Sequence, residues 1–204
     1  MDVRKNISVT AICVKPVGTD LVAHSAFDAL TRKMGFSDRL VSLCKEEVWL
    51  LGFALDGGEA ARMTRMLAEE TGVFVNPNRH LHELVVGNGI LPHGRQRGRQ
   101  ELGIMVWSYQ DSQVRPTEVA VRERLGVESL RTIRRLTLWW PGFVEGLKSG
   151  ERCDASSSIV TTVSRKRGLL ANPHYQGSLL LERALAPAQL LGSINEIEET
   201  TGAV

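Results

Sequence analysis

The sequence predicts an α+β fold in which two small β-α-β-β-α-β units pack as a pseudo-dimer. Three observations predict it. Apolar, β-branched runs and amphipathic helical stripes follow one another in that order over residues 1–89. A segment rich in Gly, Arg and Gln follows at residues 90–101, and the same order then restarts over residues 102–180. Residues of matching type recur between the two stretches at offsets of 90 to 96.

In the first unit, Asn6–Val14 is rich in β-branched residues and stops at Lys15-Pro16, which reads as a buried strand. Asp20 then suits an N-cap. Ala23, Ala26, Phe27, Leu30 and Met34 recur at helical spacing, and Gly35 suits the C-terminal turn. Leu40–Leu43 and Val48–Leu55 read as two strands joined by the polar Lys45-Glu46-Glu47, with Asp56-Gly57-Gly58 as a turn. A second stripe, Ala60, Met63, Leu67 and Ala68, closes at Gly72. Val73-Phe74-Val75 begins a last strand, interrupted at Asn76-Pro77 and resumed at Leu81–Val86. This is the ferredoxin-like arrangement, with helices on one face of an antiparallel sheet.

The second unit repeats the order. Leu102–Ser108 is strand-like, and Pro116 suits a helix's first turn before Ala120, Val121, Leu125 and Gly126. Leu130–Ile133 and Leu136–Trp140 read as strands, and Leu169–Ala171 precedes a second Asn-Pro. At an offset of 90, Leu40 falls on Leu130, Trp49 on Trp139, Gly52 on Gly142 and Phe53 on Phe143. At 96, Gly72 falls on Gly168, Asn76 on Asn172 and Pro77 on Pro173. The growth in offset predicts a longer loop near Val144–Cys153. The repeat also places a helix at Ser156–Ser164, whose β-branched and hydroxyl residues alone would suggest strand. Residues 181–204 have no repeat partner. Leu190, Leu191, Ile194 and Ile197 can line one side of a helix there, after Pro187.

Composition narrows the function classes. Among 204 residues, 43% are hydrophobic and 24% charged, which excludes wholesale disorder. Aromatics are 5%, too few for broad base-stacking surfaces. Lys and Arg number 25 against 23 Asp and Glu, so the net charge of +2 makes no strong demand for nucleic acid or membrane. MDVRKN is followed by no signal-like apolar stretch, and no run is apolar enough to span a bilayer, so a cytoplasmic location is expected. Cys13, Cys44 and Cys153 form no C-x-x-C pair, which disfavours structural zinc and thioredoxin-like chemistry. Cys13 and Cys44 lie in apolar runs and read as buried thiols.

No catalytic signature is present: no G-x-S-x-G, no phosphate-cradling glycine loop and no H-E-x-x-H. His80 and His82 share a strand face, but no Cys or carboxylate set completes a metal site beside them. Glu46 and Glu47 are adjacent, so in a strand they point to opposite faces and make no catalytic pair. Arg95, Arg97 and Arg99 in the linker suit either phosphate contact or a solvated connection; the absence of an aromatic among them favours the latter. Arg131 and Arg135 share one strand face and Arg134 takes the other. They suit holding a carboxylate or phosphate, or protecting a sheet edge. Trp49, Trp139 and Trp140 suit core packing or a subunit interface.

Gly168-Leu169-Leu170-Ala171-Asn172-Pro173 resembles the final strand of PurS, the small subunit of phosphoribosylformylglycinamidine synthase. Gly126-Val127 with Leu130-Arg131 and Arg134 resembles that family's second-strand pattern V-x-x-V-R-x-G-K. In the first unit Gly35-Phe36, Leu40 and Val75-Asn76-Pro77 fit, while Val41 stands where the arginine would be. The family's D-P-x-G helix start is absent from both units. The resemblance covers most of residues 6–180 in two copies.

The resemblance implies a non-catalytic assembly subunit that bridges a synthetase subunit and a glutaminase subunit. The chemistry, ATP- and glutamine-dependent amidation of formylglycinamide ribonucleotide with magnesium, would lie on those partners, with no cofactor or catalytic residue in this chain. Self-association is also implied, because PurS-type units pair. Contact or structural roles fall on Arg131, Arg134, Asn76, Pro77, Asn172 and Pro173. Two other readings stay open: a tandem regulatory module binding a small metabolite between its repeats, and an RNA-binding protein using the arginine-rich linker.

Overall fold

The computed structural model describes residues 7–87, 89–91, 102–164 and 168–202. It is an α+β fold in which six strands form one antiparallel sheet and four of five helices cover one of its faces. Strand β1 (Ser8–Pro16) leads to helix α1 (Leu21–Met34), strand β2 (Leu40–Phe53), helix α2 (Gly57–Glu69) and strand β3 (His80–Val85). Then come strand β4 (Gly103–Ser108), helix α3 (Val114–Val119, continued by a π-turn at Ala120–Arg124) and strand β5 (Leu130–Phe143). Helix α4 (Ser149–Val160), strand β6 (Gln176–Leu181) and helix α5 (Pro187–Thr201) complete it. The strand order is β3-β1-β2-β5-β4-β6.

The starts of α1 and α2 follow the capping chemistry. Asp20 accepts from the backbone N–H groups of Val22 and Ala23, and Gly35 ends α1 in the left-handed region at φ 78°. Asp56 accepts from the Glu59 N–H, so Gly57 and Gly58 open α2 and do not form a separate turn. Two serines inside α4 are accommodated by bonding back to the preceding turn. Ser157 Oγ donates to the Cys153 carbonyl at 2.9 Å and Ser158 Oγ to that of Asp154 at 2.7 Å.

Several expectations need correction. Leu40–Leu43 and Val48–Leu55 are not two strands, nor are Leu130–Ile133 and Leu136–Trp140: Leu40–Phe53 and Leu130–Phe143 are each one strand. The polar middle of β2 needs no turn because Lys45 pairs with Asp20 at the start of α1 and Glu47 accepts from the Trp49 indole. Each half is therefore β-α-β-α-β, with three strands, where the sequence suggested β-α-β-β-α-β. Val73-Phe74-Val75 is not strand, and neither is Gly168–Pro173, where Ala171 makes only an isolated bridge to Thr161; Phe74 and Val75, like Leu170 and Ala171, pack into the core ahead of the Asn-Pro turn. Helix α4 begins at Ser149 and ends at Val160, so the extra residues do not all precede it, and Thr161–Ser164 follow it. Cys44 is exposed, unlike Cys13, which is buried. At the linker's start Leu91 is buried and donates its N–H to the Leu185 carbonyl at 3.1 Å. Arg95, Arg97 and Arg99 lie outside the described residues.

The halves meet along β2 and β5. These strands pair over nearly their whole length, and Glu47 sits opposite Thr137, the residue 90 positions further along. The helices cross that seam. One apolar cluster joins α2 to Val121 and Val127 over β1, β2 and β5. Another joins α1 to α4 over β4 and the ends of β2 and β5. Each half thus buries a helix against the other half, and neither cluster belongs to one half alone.

Helix α5 covers the opposite sheet face. Leu190 and Ile194 are fully buried there with Met105, Trp107, Leu136 and Leu138. That face would otherwise present a continuous apolar surface to water, a situation soluble folds avoid.

Candidate functional site

Polar side chains concentrate where β1 and β4 stop short of their long neighbours. The β1–β2 ladder ends at Val14 opposite Glu47, while β2 runs on to Leu40 beside β5. The β4–β5 ladder ends at Trp107 opposite Leu136, while β5 runs on to Leu130 beside β2. At each gap an aspartate before the half's first helix holds a cation from the long strand. In the first half Asp20 Oδ2 lies 3.7 Å from Lys45 Nζ. In the second Asp111 Oδ2 lies 2.8 Å from Arg135 Nε.

The second gap is the more developed. Arg135 reaches across the seam, with Nη1 3.4 Å from Glu47 Oε2. Its guanidinium sits 5.6 Å from the Trp49 ring centroid, within cation–π range. Glu47 Oε1 in turn accepts from Trp49 Nε1 at 2.8 Å. Asp111 also accepts from the Gln113 N–H at 2.8 Å, which fixes the loop before α3. A planar guanidinium suits this role because its donors fork in fixed directions. On the opposite face Arg134 Nη2 donates to Glu198 Oε2 at 2.9 Å, tying β5 to α5. These contacts surround a cavity of about 310 Å³ lined in part by Trp107, Tyr109, Asp111, Arg115, Arg134 and Arg135. A cleft of about 630 Å³ occupies the corresponding gap of the first half, beside Asp20, His24 and Lys45.

The residues singled out in the sequence are not gathered into one site. Arg134 is in the ion pair with Glu198, while Arg131 is exposed and donates to the Glu128 carbonyl at 3.1 Å. Arg134 and Arg135 face opposite ways, Arg134 toward Glu198 of α5 and Arg135 toward Asp111 and Glu47, while Arg131 sits at a register shift between Leu130 and Thr132 where regular alternation is broken. Asn76-Pro77 and Asn172-Pro173 form the same turn twice. The Asn76 side chain accepts from the Asn78 N–H at 3.0 Å, and that of Asn172 from the His174 N–H at 3.1 Å. Their carbonyls accept from the N–H groups of His80 and Gln176, the first residues of β3 and β6. Each turn sets the entry to an outer strand. His82 Nε2 lies 3.9 Å from Glu69 Oε1, while the His80 ring accepts from the Asn76 N–H. Among the described residues no group of three His, Cys, Asp or Glu is placed to hold a metal ion.

The Asp111–Arg135–Glu47 arrangement escaped sequence reading, although the offsets carried a signal for it. Asp20 and Asp111 differ by 91 and Lys45 and Arg135 by 90, so an acid and a cation recur together. Trp49, Trp139 and Trp140 are all buried; Trp49 meets Phe74 edge-on at 5.2 Å between centroids. Cys13 is buried beside Glu46 and Glu83, and desolvation, then these carboxylates, push its thiol far above the ordinary range. Such a thiol is inert as a nucleophile. The Cys153 thiol is likewise pushed up, by desolvation and by Glu182, whose Oε1 lies 3.8 Å away. Comparison of the chain with protein-family models, curated proteins and solved structures finds no match. No helix among the described residues is long and apolar enough to cross a membrane.

Proposed function

We propose that this chain is a tandem duplication of a PurS-like unit and acts as a non-catalytic assembly subunit of a glutamine-dependent phosphoribosylformylglycinamidine synthase. The observation that carries the reading is the β2–β5 seam. Glu47 lies opposite Thr137, the position at the repeat offset, and this register supports reading the two halves as the partners of a symmetric dimer. A covalently joined pair of units that meet in this way matches the pairing of PurS-type subunits implied by the Gly168–Pro173 and Gly126–Arg134 resemblance. In this reading the synthetase and glutaminase subunits carry the reaction, and this chain holds them together in the cytoplasm. Ferredoxin-like ancestry of each half belongs to the same proposal.

Co-expression with the synthetase and glutaminase of the source cell tests it. A ternary complex that survives gel filtration with ATP, magnesium and glutamine is the expected result. Elution of this chain apart from both proteins under those conditions would reject the reading.

A further inference from the structure

The cavity at the second gap is lined by hydrogen-bond donors that have no acceptor among the described residues. Its volume, about 310 Å³, falls at the lower end of the range of small-molecule sites, roughly 300–1,000 Å³. Trp107 lines it. Trp107 is 3% exposed, its indole lies against Gly177 of β6, and its Nε1 is buried with no hydrogen-bond partner among the described residues. A buried donor without an acceptor is costly and uncommon in folded proteins. Arg115, also on the wall, makes no ion pair among the described residues.

The other charges on the wall are already committed. Arg135 uses Nε and Nη1 on Asp111 and Glu47, and Arg134 uses Nη2 on Glu198. Glu118 is paired with Arg122 at 3.2 Å. Each of these carboxylates has a cation partner, with Glu198 Oε1 left buried without one of its own, while each guanidinium, with five N–H donors, keeps some free. Val114 and Ile194 add apolar surface. The unmet need is for an acceptor, and an anionic one suits Arg115 best.

We propose that this cavity binds a small metabolite bearing an oxyanion, a carboxylate or a phosphate, with Arg115 and the Trp107 N–H as its recognition groups. The proposal stands on the cavity and its donors and does not depend on the assembly reading. Bound there, the ligand would touch β4, β5, α3 and α5 together, and so would report on how α5 is seated.

Isothermal titration calorimetry on the full chain tests it. Succinate and glutamate serve as carboxylate probes, and inorganic phosphate and ribose 5-phosphate as phosphate probes. Saturable one-to-one binding of a probe from one class is expected, and the class that binds identifies the anion. Arg115→Ala should weaken it about 10- to 100-fold, the scale of a hydrogen bond to a charged group. Trp107→Phe should weaken it as well, and Arg62→Ala, on the exposed side of α2, should leave it unchanged. Arg115 is exposed, so its removal does not threaten folding and this variant decides the matter by itself. Absence of saturable binding for all four probes, or an unchanged affinity in Arg115→Ala, would overturn the proposal.

Discussion

At Arg135 one guanidinium meets a carboxylate from the α3 loop, a carboxylate from β2 and the face of an indole. The Asp111 side chain is 9% exposed, so removing the cation strands a nearly buried charge. Arg135 itself is 28% exposed, and solvent screens part of that loss. Arg135→Met should therefore lower stability by about 2 kcal/mol, below the roughly 3–5 kcal/mol of a fully buried pair. Arg131→Met, on an exposed side chain, should change it by no more than about 0.5 kcal/mol. Urea unfolding midpoints of the two variants check the contrast; equal losses would mean that the Arg135 contacts contribute nothing specific. Cys13 gives a second residue-scale prediction. Its thiol stays protonated in the folded chain well above the ordinary value of 9.0, because burial and then Glu46 and Glu83 oppose the thiolate. The unfolded chain releases that proton near 9.0, so above this pH the folded state binds more protons than the unfolded one. Stability is then intact below pH 9 and falls as pH rises beyond it, by up to about 1.4 kcal/mol per unit. Cys13→Ala should lack this component, so the difference in stability between it and the parent should shrink as pH goes from 8 to 10. A constant difference would show that the thiol is not held neutral.

Elements with strong local punctuation were legible, and those whose polarity is resolved by distant partners were not. Asp20, the stripe from Ala23 to Met34 and Gly35 specify α1 from its own residues, and the structure keeps its cap and its end. Lys45-Glu46-Glu47 suggested a break in β2 because three charges rarely sit inside a strand. Lys45 finds Asp20 and Glu47 finds Trp49 and Arg135, contacts that no local pattern reveals. The Arg135 site was hidden for the same reason, since its members are spread over β2, β5 and the loop before α3. Helix α5 was visible as a spacing of Leu190, Leu191, Ile194 and Ile197, but its place was not, because nothing in the repeat says which face needs cover. That place has a consequence. Truncation before Pro187 would uncover Met105, Trp107, Leu136 and Leu138 on the outer sheet face. The truncated chain should self-associate through it, since apolar patches of this kind drive pairing. Sedimentation velocity across a concentration series reads this directly. A truncated chain that stays monomeric and as stable as the parent would show that α5 is dispensable to the sheet.

For the whole molecule, the shared clusters matter more than the covalent link. The long β2–β5 ladder and the two clusters that mix helices from both halves leave neither half with a core of its own. A unit of about 80–90 residues already buries a smaller fraction of its surface than a larger domain. Here its apolar helix face also closes only when the other half is present. At this scale the sequence carried the recurrence of Asn76-Pro77 at Asn172-Pro173, and the structure forms that turn twice, ahead of β3 and of β6. The three-stranded form of each half was not legible, because it depends on β2 running unbroken past the end of β1. If the seam holds the halves together, the connection through residues 92–101 is needed for concentration and not for structure. Joining two segments raises their effective concentration to the millimolar range, which matters little when the association is already strong. A protease site placed in that connection should therefore yield two fragments that co-elute at the mass of the intact chain and keep its circular dichroism. The fragments should part only in denaturant, and when it is removed they should re-form a one-to-one species. Fragments that separate in native buffer, each retaining folded spectra, would mean that each half completes its own core and that the clusters spanning β2 and β5 contribute little to holding the fold.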